Sequence, residues 1–234
     1  YMNRGEHEGE VGTAVYHYDG LVQTIEEEVF IPSDTSYEIL KAQMGQLMYV
    51  NEQGMLYLIL DEKLYQVNLD SLSTKVLVED LKENCYKISQ SNQYFAWVDA
   101  NQEFASSTIT LMNLNDGSTY EISESGNEYL RPLGFIDNDF IYGIAKAKEV
   151  SVGEAGNTQF PMQTLKIMAT SEDSHEIIKE YQPSKGRVES ISVADYTVTV
   201  QLMKKSGSQY LTAGTDSIMN READTETKIT LEST

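Results

Sequence analysis

Residues 88–123, ISQSNQYFAWVDANQEFASSTITLMNLNDGSTYEIS, carry a rhythm that few folds accommodate. CYKIS (85–89) reads as a short strand and QSNQ as a polar turn. YFAWVDA (94–100) alternates large apolar with small or polar residues, as a strand buried on its faces does. NQEFASS is a loop. TITLMNL (108–114) puts Ile109, Leu111 and Asn113 on one face and Thr110, Met112 and Leu114 on the other. NDG (115–117) is a hairpin turn whose Asn and Gly tolerate positive φ. STYEIS then returns as a fourth strand.

The same order recurs. KLYQVNLDSLSTKVLVED (63–80) holds a third and fourth strand. RPLGFIDNDFIYGIAKAKEV (131–150) holds a first and second around the turn DND, and TLKIMATSEDSHEIIKEY (164–181) supplies the last two. VESISVADYTVTVQLMKKSGSQYLTAGTDS (188–217) begins another round, and GTAVYHYDGLVQTIEEEVFIP (12–32) is a third and fourth strand without their first two. Corresponding pieces recur at a period of about 45–55 residues, which suits propeller blades. A small sheet with two apolar faces must stack on neighbours, and this makes repetition necessary. The expected fold is an all-β propeller of four-stranded antiparallel blades. A partial blade falls at about 1–34, and blades fall at about 35–81, 82–125, 126–183 and 184–234. In TSYEILKAQMGQ (35–46), Ile39, Leu40 and Met44 follow helical spacing and Ser36 has the chemistry of a cap. We read the segment as the first strand of a blade.

Charge and hydropathy narrow the partners. The formal net charge is −20, and residues 1–62 hold twelve acidic and two basic groups. Phosphate backbones and anionic lipid surfaces need Lys/Arg clusters, so nucleic acid is not an expected partner. The longest apolar run, MLYLIL (55–60), is far short of the roughly 20 residues of a membrane helix. The acidic excess reads as a solvated surface or as a docking face for a cationic partner or a cation. A single cysteine, Cys85, excludes an internal disulfide and reads as a small core residue. The chain begins at Tyr1 inside strand-like sequence, so we read it as a piece of a larger protein.

No reaction is written in the motifs. His7 sits among Glu6, Glu8 and Glu10, a group with metal-binding chemistry, but strand alternation would point it away from them and the segment reads as a solvated hairpin. His17 alternates with Tyr16 and Tyr18, His175 lies in the turn SEDSHE, and no spacing among the three suits zinc. Asp99, Asn101 and Glu103 resemble the start of a calcium loop without its central Gly or distant Glu. There is no Gly-x-Ser-x-Gly elbow, and GEAGNT (153–158) lacks the helix of a phosphate loop. Neither catalytic residues nor metal ligands nor a cofactor are assigned. Trp97 reads as packing between blades or, alternatively, as a ligand platform. The longest interruption, EVSVGEAGNTQFPMQ (149–163), is either a binding loop or a mobile excursion.

KISQSNQYFAWVDANQ…STITLMNLNDGSTYEIS resembles the WD40-like repeat of TolB-type and prolyl-peptidase-type β-propellers. Ser89 occupies the Ser of their Ser-Pro-Asp-Gly turn, with Gln90, Ser91 and Asn92 in place of the other three. The resemblance implies a non-enzymatic binding module of a bacterial extracytoplasmic or cell-surface protein, with a protein or glycan partner. Its alternative is the propeller part of a carbohydrate-active enzyme or a peptidase gating domain, with catalysis outside this chain.

Overall fold

The computed structural model describes residues 7–43, 45–124, 126–153, 156–170, 175–207 and 209–219. The chain divides into two compact units, 1–123 and 124–234. Met44, the turn residues 171–174 and the end of the last expected blade (220–234) lie outside the described residues.

The first unit opens with a hairpin of β1 (Gly12–Asp19) and β2 (Thr24–Pro32), followed by helix α1 (Tyr37–Gln43). β3 (Met48–Val50), β4 (Met55–Leu60), β5 (Lys63–Asn68) and β6 (Thr74–Val78) form an antiparallel sheet in that order. β7 (Tyr86–Ile88), β8 (Tyr94–Trp97), β9 (Thr108–Asn113) and β10 (Thr119–Ser123) form a second one. β4, which has no polar residue, explains the stacking. Tyr57 and Ile59 join Leu47, Leu64, Phe95, Met112 and Leu114 in a core between the two sheets. Leu56, Leu58 and Leu60, on the opposite face of the pleat, pack with Val29, Ile31 and Leu40 beneath the hairpin. A strand buried on both faces needs a neighbour on each side, and here it has them.

Turn chemistry fixes the registers. Asp61 and Glu62 both adopt positive φ, as a two-residue hairpin turn matched to the strand twist requires. At the turn before β8, Ser89 is buried and its Oγ accepts from the N–H of Gln93 (3.1 Å) and Tyr94 (3.0 Å). Asn92 supplies the positive φ. Without the Pro-Asp-Gly letters the turn keeps its role.

Residues 35–46 correct the strand expectation. Tyr37–Gln43 is helical, started by bonds from Ile39 N (3.1 Å) and Leu40 N (3.0 Å) to the Ser36 carbonyl. Leu40 is its one buried residue. The Gln43 side chain accepts from Asp61 N at 3.1 Å and ties the helix to the β4–β5 turn.

The second unit contains β11 (Glu128–Ile136), β12 (Asp139–Lys146), a small hairpin of β13 (Ser151–Val152) and β14 (Thr158–Gln159), β15 (Met162–Met168) and β16 (Ile177–Tyr181). β17 (Arg187–Ala194), β18 (Thr197–Ser206) and β19 (Gln209–Met219) follow. β11, β12, β15 and β16 pair in sequence as a four-stranded antiparallel sheet. β17–β18–β19 attach to the same β15 through a single pair, Met162 with Val188. The sheet therefore forks at β15. Across the fork, the Tyr181 hydroxyl donates to Asp216 Oδ2 (2.7 Å), and Lys179 Nζ donates to the Met219 carbonyl. Burial and the Asp216 carboxylate push the Tyr181 hydroxyl up to about 12, so it remains a donor at ordinary pH.

Candidate functional site

The seam between the two four-stranded sheets of the first unit changes character along its length. Phe95 pairs with Met112, and both are buried in the shared core. Two residues on, Trp97 pairs with Thr110, so the cross-strand partner becomes polar where the ring begins to emerge. On the facing sheet the apolar residues Leu77 and Val78 give way to Glu79 and Asp80. Between these walls lies a cavity of about 330 Å³, floored by Val98 and Ala100 and rimmed by Asp99, Asn101 and Thr108. Its volume falls in the range of small-ligand sites, which run from roughly 300 to 1,000 Å³.

Trp97 thus has two environments. Its ring meets Phe95 at 5.5 Å between centroids, inside the seam, and its remaining surface faces the cavity. The packing reading of Trp97 accounts for its contact with Phe95, and the rest of the side chain is open to the cavity. Asp99 and Asn101 are brought beside it, but not as a calcium loop. They begin a short 3₁₀ turn in which Asp99 Oδ1 accepts from Asn101 N at 2.8 Å. Lys82, in the segment between the sheets, spends its ammonium on the Ala100 carbonyl at 3.2 Å. Glu79, Asp80 and Asp99 make no ion pair among the described residues. Glu79 and Asp80 could be found only by folding: they follow β6 of the preceding blade and line the same cavity as Trp97.

The other sequence candidates have different roles. His7 lies in a turn, in keeping with the hairpin reading, and Glu6 lies outside the described residues. The His7 Nδ1 is 3.1 Å from Glu10 and its Nε2 is 2.9 Å from Glu27, with the ring stacked on Phe30 at 3.8 Å. His17 is exposed, 3.5 Å from Glu28. Cys85 is fully buried. Among the described residues no group of three or more His, Cys, Asp or Glu side chains is placed to hold a metal.

In the second unit, the described part of 149–163 is tied down. Arg187 grips Glu149 with two bonds, Nε to Oε2 (2.8 Å) and a terminal nitrogen to Oε1 (3.1 Å). The Gln159 amide donates to Tyr210 O (2.9 Å) and accepts from Tyr210 N (3.1 Å), so a side chain takes the place of one more strand residue beside β19. Phe160 is buried, with the Arg131 guanidinium 6.0 Å from its ring centre. The Arg187 hydrogen bonds hold the Glu149 carboxyl below its ordinary range. A depressed carboxyl stabilises the folded state above its unfolded pKa and loses that effect as pH falls through the folded value. Backbone hydrogen exchange in β17 is therefore expected to accelerate as pH drops from 6 to 3.5, after correction for intrinsic rates. Glu149→Gln should flatten that dependence by up to about 1 kcal/mol, the ceiling for a partly exposed pair. An unchanged pH profile in the variant would remove the pair from the account.

No protein-family model matches the chain, and no curated protein sequence matches it. Among solved structures it is similar to the WD40 domain of Neurospora crassa Pan2, at 6% identity and a TM-score of 0.39, over 75% of this chain and 48% of that one. It is also similar to the β-propeller domain of the trilobed protease from Pyrococcus furiosus, at 19% identity and a TM-score of 0.36, over 71% and 47%. A third likeness is the acylaminoacyl peptidase of Pyrococcus horikoshii, at 14% identity and a TM-score of 0.36, over 70% and 30%. The chain thus spans half or less of the length of each. Its own sheets define its class: antiparallel four-stranded sheets, stacked face to face in the first unit, in an all-β, propeller-like fold. No described helix is long and apolar enough to cross a membrane.

Proposed function

We propose that this chain is a non-enzymatic binding module of a bacterial extracytoplasmic or cell-surface protein, recognising a protein or glycan partner. The observation that carries the reading is the cavity at Trp97, where a well-packed seam gives way to a half-buried aromatic ring lined by both apolar and polar side chains. Proteins relax their packing rules chiefly at functional sites, and an open gap beside an aromatic ring in an otherwise packed seam is a candidate for one. Aromatic rings at such places supply large contact area at low entropic cost. The acidic, cysteine-poor composition is consistent with life outside the cytoplasm.

Trp97 is the only tryptophan, so its fluorescence reports on this cavity without interference. Screening the intact chain against a glycan array and an extracellular protein library is expected to give a hit that shifts this emission. Trp97→Phe should weaken that hit about 5- to 10-fold, the loss of roughly 1–1.5 kcal/mol of ring contact. A hit that leaves the emission unmoved would place binding elsewhere on the module.

A further inference from the structure

The Trp97 cavity has a chemistry more specific than general adhesion. Its apolar lining is the electron-rich Trp97 ring together with Leu77, Val78, Val98 and Ala100, and its charged residues are all negative: Glu79, Asp80 and Asp99. The nearby Lys82 ammonium is bonded to the backbone. Asp99 gives one oxygen to Asn101 N, whereas Glu79 and Asp80 are exposed and make no hydrogen bond among the described residues. Thr108 and Thr110 add hydroxyls at one wall. An anionic ligand would be repelled here, and in a chain of net charge −20 no remote cationic field offsets that repulsion. A neutral sugar would find the ring, but would leave three carboxylates without countercharge. A cation satisfies both kinds of group together.

We propose, building on the binding-module reading, that the cavity takes an arginine side chain from a basic peptide segment of a partner protein. The guanidinium is flat, so it stacks on the exposed part of the indole while its edge donates in pairs to carboxylates. Lysine would place a point charge at the same carboxylates without the stacking, and should bind less well. The negative field of the module adds steering, so association slows as salt is raised.

The test is titration of the intact chain, followed by Trp97 emission, with three probes: an arginine-rich peptide, the same peptide with citrulline for arginine, and neutral oligosaccharides. The arginine peptide is expected to shift the emission saturably, with binding weakened severalfold between 50 and 300 mM salt. The citrulline peptide should bind at least 10-fold more weakly. A Glu79→Gln, Asp80→Asn double variant should lose about 5- to 10-fold for the arginine peptide, and both changes are at exposed positions, where folding is little affected. Equal binding of arginine and citrulline peptides would overturn the charge assignment. A shift with oligosaccharides but not with peptides would overturn this proposal while leaving the binding module standing. No shift with any probe, set beside a library hit that leaves Trp97 silent, would remove the cavity from function altogether.

Discussion

Phe95→Ala is expected to destabilise the first unit by about 3–5 kcal/mol, the cost of emptying a large aromatic site in a close-packed core. Phe95 is 0% exposed and lies at the middle of the seam between the two four-stranded sheets. Its ring is 5.5 Å from both Tyr86 and Trp97, and its core neighbours Tyr57, Ile59 and Leu64 come from the facing sheet. These residues stand on regular strands held by ladder hydrogen bonds, so they have little freedom to close the void. Urea unfolding followed by Trp97 emission reads the loss directly, as a fall in midpoint with little change in slope. Phe95→Leu, which keeps most of the volume, should cost clearly less. If the alanine variant lost under 1 kcal/mol, the two sheets would not share a core, and the stacked-blade arrangement would fail with them.

The stacking itself was legible because it depends on composition along a strand. MLYLIL has no polar side to present to water, so both faces of β4 must be covered, and no partner need be known to say so. The turns were legible for a similar reason, since Asn92 and Asp137 carry positive φ at the positions where the sequence breaks its alternation. Helix α1 was not. Its seven residues bury only Leu40, so neither periodicity had enough buried positions to win, and its anchor is the distant Asp61 N–H. The pinning of 149–163 was equally hidden, because Glu149 and Gln159 find Arg187 and Tyr210 across 38 and 51 residues. The Trp97 cavity was half visible. The ring and Asp99 lie in one quoted stretch, while Glu79 and Asp80 reach it only through the packing of one blade on the next.

Asn51→Asp, a change of one nitrogen to oxygen, should be nearly as damaging as the loss of Phe95, at about 3 kcal/mol or more at neutral pH. Asn51 is buried, and its amide is fully used. Nδ2 donates to the carbonyls of Leu114 and Asn115, both at 2.9 Å, and Oδ1 accepts from the N–H of Gln53 and Met55, both at 2.9 Å. One side chain therefore closes the turn before β4 and fastens it to the turn after β9 in the neighbouring sheet. An ionised carboxylate keeps the two accepting contacts but turns the two donating ones into repulsions between oxygens, in a site that excludes water. Protonation restores one donor, so folding should raise the introduced carboxyl above its unfolded value of about 3.9. A raised carboxyl favours the folded state in its protonated form, and that contribution disappears as pH rises through the folded value. The gap in stability between the variant and the parent should accordingly widen from pH 5 to pH 8. Asn51→Ala removes all four bonds without adding charge, and its gap should stay constant over the same range. Urea midpoints for the three chains at both pH values separate these behaviours. Parallel losses in the two variants at both pH values would mean that the Leu114 and Asn115 carbonyls do not face residue 51, and the fastening of one blade to the next would lie in apolar contact and in the Tyr49–Asn115 and Tyr86–Gln46 hydrogen bonds.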